Sequence, residues 1–88
     1  MPEITVEIVN RAGMHARPAS EFVKLAGRFT AEVWVEKDGI RVNGKSIMGV
    51  LMLAAERGSS LRIETDGSDA DDALSALEDL VARGFEED

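Results

Sequence analysis

The stretch Thr30-Ala31-Glu32-Val33-Trp34-Val35-Glu36-Lys37-Asp38-Gly39-Ile40-Arg41-Val42-Asn43-Gly44 decides the fold. From Thr30 to Lys37 apolar and polar residues alternate, with Ala31, Val33 and Val35 facing one way. That period of two predicts a half-buried strand. Asp38-Gly39 is a strong two-residue hairpin signal, and Ile40-Arg41-Val42 returns as the next strand before Asn43-Gly44 breaks it. Trp34 falls on the less buried face.

Working outward, Glu3 to Val9 alternates in the same way, with Ile4, Val6 and Ile8 on one face, and Asn10-Arg11-Ala12-Gly13 reads as a loop. A helical stripe of Ala19, Phe22, Val23 and Ala26 predicts a helix over 16–26. Pro18 sits in its first turn, where a missing N–H costs nothing, and Gly27 ends it. Ser46 is a natural N-cap for a short helix from Ile47 to Ala55, closed by Gly58. Leu61, Ile63 and Thr65 mark a fourth strand. Ser68 or Asp69 caps a last helix through Ala70, Ala73, Leu74, Leu77, Leu80 and Val81, ended by Gly84. The order is β-α-β-β-α-β-α. Each strand has one apolar face, so helices are expected on one side of the sheet and water on the other. This predicts an α+β open-faced β-sandwich, a four-stranded, largely antiparallel sheet with three helices on one face.

The 88 residues are 44% hydrophobic and 31% charged, which suits one globular domain over 1–88 and argues against disorder. The absence of cysteine excludes a disulfide scaffold, thiol catalysis and a cysteine metal site. No basic stretch with a following apolar run opens the chain, and no apolar run is long enough to span a bilayer. A cytoplasmic location without membrane insertion is therefore expected. The net charge is −7. Residues 11–45 hold seven of the ten basic groups and only four acids, whereas residues 46–88 hold eleven acids. The overall sign and the few aromatics disfavour a nucleic-acid partner. The acidic residues 66–88 read as a solvated helix face and tail, and Asp66, Asp69, Asp71 and Asp72 lack the spacing of a calcium loop. No metal and no cofactor is expected.

His15, the one histidine, stands in Gly13-Met14-His15-Ala16-Arg17-Pro18-Ala19, where loop becomes helix. Backbone N–H groups of the first turn, Ala16 among them, and the helix dipole make an anion site there, and Arg17 adds a guanidinium suited to phosphate. The same field opposes a second proton on the ring, which leaves a nucleophilic lone pair. A nucleophile among phosphate-stabilising donors points to a histidine that accepts a phosphoryl group. The alternative, a capping or surface histidine, is the commoner role for a lone histidine, but the Gly-x-His-x-Arg-Pro context at a helix start argues against it.

Gly39-Ile40-Arg41-Val42-Asn43-Gly44-Lys45-Ser46 literally satisfies the phosphate-loop pattern, but its first glycine belongs to a hairpin and its middle to a strand, so a nucleotide enzyme is disfavoured. Ser46 is either an N-cap alone or also a phosphorylation site, where a phosphoserine would gain from the helix start. The helix beginning at Ile47 is apolar nearly all round, so either it is a deeply buried short helix or some of Ile47, Met48, Leu51 and Met52 are exposed or covered by a partner. Ile47, Met48 and Leu51 are the expected outward set, with Val50 and Leu53 inward.

These residues carry a resemblance. Over essentially its whole length the chain resembles the histidine-containing phosphocarrier protein (HPr) family of the bacterial phosphoenolpyruvate-dependent sugar phosphotransferase system. The likeness rests on 13–19 and on Asn43-Gly44-Lys45-Ser46-Ile47-Met48-Gly49-Val50. It implies that His15 is phosphorylated on Nδ1 by phospho-enzyme I and passes the group to enzyme IIA domains, with Ala16 and Arg17 holding the phosphoryl oxygens. It implies regulation at Ser46 by HPr kinase/phosphorylase, a link to a transcription regulator, and docking through Ile47, Met48 and Leu51. The implied protein is a carrier without turnover of its own, working as a monomer. Two variants share the pattern, a regulatory HPr-like protein and a nitrogen-related phosphocarrier, and the presence of His15 favours the carrier over the regulatory one. Position 12, often small and polar in the family, is Ala12 here.

Overall fold

The computed structural model describes residues 2–87. Its elements run β1 (Glu3–Glu7), α1 (Ala16–Ala26), β2 (Glu32–Lys37), β3 (Ile40–Asn43), α2 (Ile47–Met52), β4 (Ser60–Asp66) and α3 (Ala70–Ala82), with a short 3-10 turn at Gly84–Glu86. The sheet order is β1-β4-β2-β3, and every neighbouring pair is antiparallel. The expected α+β open-faced architecture is what forms.

The β2–β3 hairpin turns through two residues, with Lys37 opposite Ile40. Asp38 and Gly39 both take positive φ, 53° and 81°. This is the backbone twist that a tight hairpin needs and that Asp-Gly supplies at little cost. Alternation then places Val33, Val35, Leu61 and Ile63 on the covered face, where they pack with Ile8, Phe22, Leu77 and Val81. Burial of Phe22 alone contributes about 2–3 kcal/mol. The other face carries charge. Arg62 pairs with Glu3 and Glu36, Arg41 donates to Glu64 at 2.7 Å, and the Arg41 guanidinium lies 4.9 Å from the centre of the Trp34 ring.

Three expectations need correction. First, α2 ends at Met52 rather than Ala55, well before Gly58. Leu53 closes a tighter turn onto Val50, and Ala54 takes φ 48°, which sends Leu53 and Ala55 into the core. Second, Asp69 stands at the start of α3 but makes no side-chain cap there. Its carboxylate instead accepts from the backbone N–H groups of Thr30 and Ala31, at 2.9 and 2.8 Å, and ties down the α1–β2 loop. Third, residues 66–88 are not simply a solvated acidic segment. Beyond α3 the chain reverses through Phe85 (φ 57°) and Glu86 (φ 61°), Phe85 is buried, and Glu87 returns to the start of α1.

Candidate functional site

The site is built on the loop 10–15. Asn10 is buried; its carbonyl accepts from Gly13 N–H, and its side-chain Nδ2 donates to the Gly13 carbonyl at 2.8 Å. Gly13 has φ 73°, and a Cβ there would stand 2.6 Å from the Ala55 carbonyl oxygen. Only glycine permits this approach. Met14 N–H donates to the same Ala55 carbonyl at 2.8 Å, which joins the loop to the segment leaving α2. His15 follows as the N-cap residue of α1, with extended backbone and no side-chain cap. The first intrahelical bond runs from Ala19 to the His15 carbonyl. The N–H groups of Ala16 and Arg17 therefore have no helical acceptor, Pro18 has no N–H, and the helix dipole adds to their field.

The His15 ring is 43% exposed, so its free edge is open to a second protein. Its Nε2 lies 3.0 Å from Glu87 Oε1. Asn10 Nδ2 donates to the same oxygen at 2.9 Å, and the Arg17 guanidinium is 3.9 Å from Glu87 Oε2. The hydrogen bond from His15, and next the one from Asn10, hold the Glu87 carboxyl below the usual carboxylate range. An ionised carboxylate only accepts, so in this contact the imidazole nitrogen is the donor. The Glu87 anion also offsets the helix-terminal field that the sequence alone places at His15.

His15, Ala16 and Arg17 stand together at the start of α1. The structure adds Asn10 and Glu87, which sequence reasoning missed. Asn10 reads as an ordinary loop residue, and Glu87 lies 72 positions away in an acidic tail. Ala12 is exposed and offers no polar group; the polar contacts come from those two residues instead. Among the described residues no three His, Asp or Glu side chains gather to hold a metal ion.

Ser46 caps α2 through its hydroxyl, which accepts from Gly49 N–H at 3.1 Å. Beyond it Ile47, Met48 and Leu51 are exposed, with Met48 at 70%, while Val50 and Leu53 are buried. Met52, outside the expected outward set, is exposed as well. α2 packs on α1, the helix that His15 caps, and on β3. The nucleotide reading of Gly39–Ser46 has no physical basis: 40–43 is strand, and a side chain at Gly44 would collide with Val33.

Residues 2–83 match the family described as the PTS HPr component phosphorylation site. The chain belongs to this family. The phosphocarrier protein HPr of Neisseria meningitidis serogroup A is 49% identical over 83 residues, 94% of this chain and 93% of that protein. The crystal structure of HPr from Thermoanaerobacter tengcongensis superposes with a TM-score of 0.97 at 44% identity, covering 100% of this chain and 99% of that one. The HPr-like protein Crh of Halalkalibacterium halodurans is 48% identical over 88% of this chain and 92% of its own length. The open-faced HPr fold and a phosphocarrier protein of the phosphotransferase system are therefore shown, and the chain is a carrier rather than a catalyst with its own turnover.

Proposed function

We propose that His15 accepts a phosphoryl group on Nδ1 from phospho-enzyme I and hands it to enzyme IIA domains that serve sugar uptake. The observation that carries this reading is the position of His15. It is an exposed ring at a helix start, beside the Ala16 and Arg17 N–H groups that have no helical acceptor. The Nδ1 lone pair attacks phosphorus, the P–N bond forms, and the donor leaves with the electrons of its own bond to phosphorus. Ala16 N–H and the Arg17 side chain receive the phosphoryl oxygens. In the second transfer the acceptor's nucleophile takes the group and returns the pair to Nδ1.

Ile47, Met48 and Leu51 form the docking surface, and methionine suits contacts with successive partners. Such partners bind transiently through a small patch. Ser46 is the regulatory phosphorylation site, used by an HPr kinase/phosphorylase and read by a transcription regulator. Residues 1–88 act as one unit, as a monomer in the cytoplasm; no helix of the described residues is long and apolar enough to cross a membrane. The likeness to Crh supports a regulatory role through Ser46 beside the carrier role. A nitrogen-related branch differs in which enzyme I donates.

Intact mass after incubation with phosphoenolpyruvate and enzyme I tests the reading, with His15→Ala as control. The expected result is an acid-labile phosphoryl adduct on the wild type only. No adduct, with an enzyme I active on another carrier, overturns it in favour of the regulatory role.

A further inference from the structure

We propose that Glu87 is a positioning residue for phosphoryl transfer: it anchors the His15 ring proton on Nε2 and so presents Nδ1 as the nucleophile. The inference rests on the carrier reading of His15. It stands on geometry. Glu87 Oε1 accepts from His15 Nε2 at 3.0 Å and from Asn10 Nδ2 at 2.9 Å, and its side chain is 15% exposed. The carboxylate is thus held from two sides rather than swinging on a free tail. Its backbone is fixed as well, because Phe85 is buried in the core and Glu87 N–H donates to the Gly84 carbonyl at 3.0 Å.

The chemistry follows from proton placement. When Nδ1 attacks phosphorus, the ring gains positive character and the Nε2 proton stays in place. Glu87 faces that proton throughout and compensates the charge without blocking Nδ1. When the group leaves, its bonding electrons go with Nδ1 and the ring returns to the same tautomer. No proton has to be exchanged with solvent in either direction. The other charged group facing the carboxylate is Arg17, at 3.9 Å and 68% exposed. It is loosely held and free to turn to an incoming phosphoryl group while Glu87 remains on the ring. Glu86, its neighbour, is engaged elsewhere, with Arg83 at 2.9 Å.

The test uses nitrogen-15 NMR of the His15 ring together with the rate of phosphorylation by enzyme I, in the wild type, Glu87→Ala and Glu87→Gln. The wild type is expected to show a hydrogen-bonded Nε2–H signal protected from water exchange. Glu87→Ala loses that signal and phosphorylates roughly threefold to tenfold more slowly, the effect of one hydrogen bond. Glu87→Gln keeps a neutral acceptor and falls between. A ring signal and a rate both indifferent to Glu87 overturn the proposal. A slower rate with the ring signal unchanged overturns it too, because the loss then belongs to charge near Arg17. If the wild type itself takes no phosphoryl group from an active donor, the carrier reading fails, and the NMR comparison shows separately whether the contact exists.

Discussion

Glu87 Oε1 lies 3.0 Å from Nε2 of His15, so the segment beyond α3 closes onto the N-cap residue of α1. The contact joins the two halves of the charge distribution. A basic N-terminal site meets one acid from the acidic C-terminal half, and Asn10 holds that acid in register. His15 is thereby contacted by residues outside its own motif.

Arg17→Ala leaves the fold intact. The side chain is 68% exposed and makes only a long contact to Glu87, so stability changes by less than about 0.5 kcal/mol. Phosphoryl transfer slows by roughly tenfold or more, as expected for loss of an anion-stabilising donor. Stopped-flow or rapid-quench rates together with urea unfolding check both halves. An unchanged rate removes Arg17 from the mechanism.

Gly13→Ala acts through the backbone. Its Cβ meets the Ala55 carbonyl oxygen at 2.6 Å and the Glu56 Cα at 2.9 Å, in a conformation with φ 73°. The expected cost is about 1–3 kcal/mol in urea unfolding. The loop that carries His15 must shift with it, so transfer slows too. Wild-type stability in this variant contradicts the account of the loop.

Asn10→Ala removes two hydrogen bonds from a buried residue. A loss of about 1–2 kcal/mol is expected from the two hydrogen bonds, while the Gly13 carbonyl keeps the His15 N–H as donor. The variant also frees Glu87 from one of its two holds, so amide exchange at Glu86 and Glu87 quickens. Unaltered exchange there separates the tail from Asn10.

Ser46→Ala and Ser46→Asp part company. Alanine loses the cap to Gly49 N–H and costs about 1 kcal/mol. Aspartate keeps a capping oxygen and holds stability near that of the wild type, but sets a charge beside exposed Ile47 and Met48. Phosphorylation by enzyme I is expected to slow in Ser46→Asp and to change little in Ser46→Ala. Equal rates in all three proteins remove Ser46 from control of transfer.

Acid should unfold the chain through particular carboxylates. Asp69 is lowered first by the Thr30 backbone N–H, Glu64 first by the Arg41 hydrogen bond, and Glu87 first by His15. Each folded-state value lies below the unfolded one. Their contribution is therefore complete above the ordinary carboxylate range, near pH 4, and disappears as pH falls through the depressed values. Urea midpoints fall as pH drops below that range, and less steeply in Asp69→Asn than in the wild type. Parallel profiles for the two proteins count against the Asp69 link.

Much of the fold was legible because it is local. The stripe over 16–26 and the Asp38-Gly39 turn each depend on neighbours in sequence, and α1 spans the range expected of it. The outward residues of α2 followed from counting how many faces a helix on a sheet can bury, with Met52 exposed beside Ile47, Met48 and Leu51. The end of α2 was not legible, since an alanine at φ 48° is imposed by the pull of Leu53 and Ala55 into the core. Asp69 and Glu87 were hidden for a similar reason. Asp69 reads as a cap for its own helix and Glu87 as a solvated acid in an acidic run, and only the folded chain brings Thr30 and His15 to them.

The most direct measurement is NMR of the phosphorylated chain, nitrogen-15 labelled at its histidine, after reaction with phosphoenolpyruvate and enzyme I. One phosphohistidine is expected, with phosphorus coupled to Nδ1 of His15 and the proton retained on Nε2. Phosphorus on Nε2, or on a residue other than His15, would contradict it.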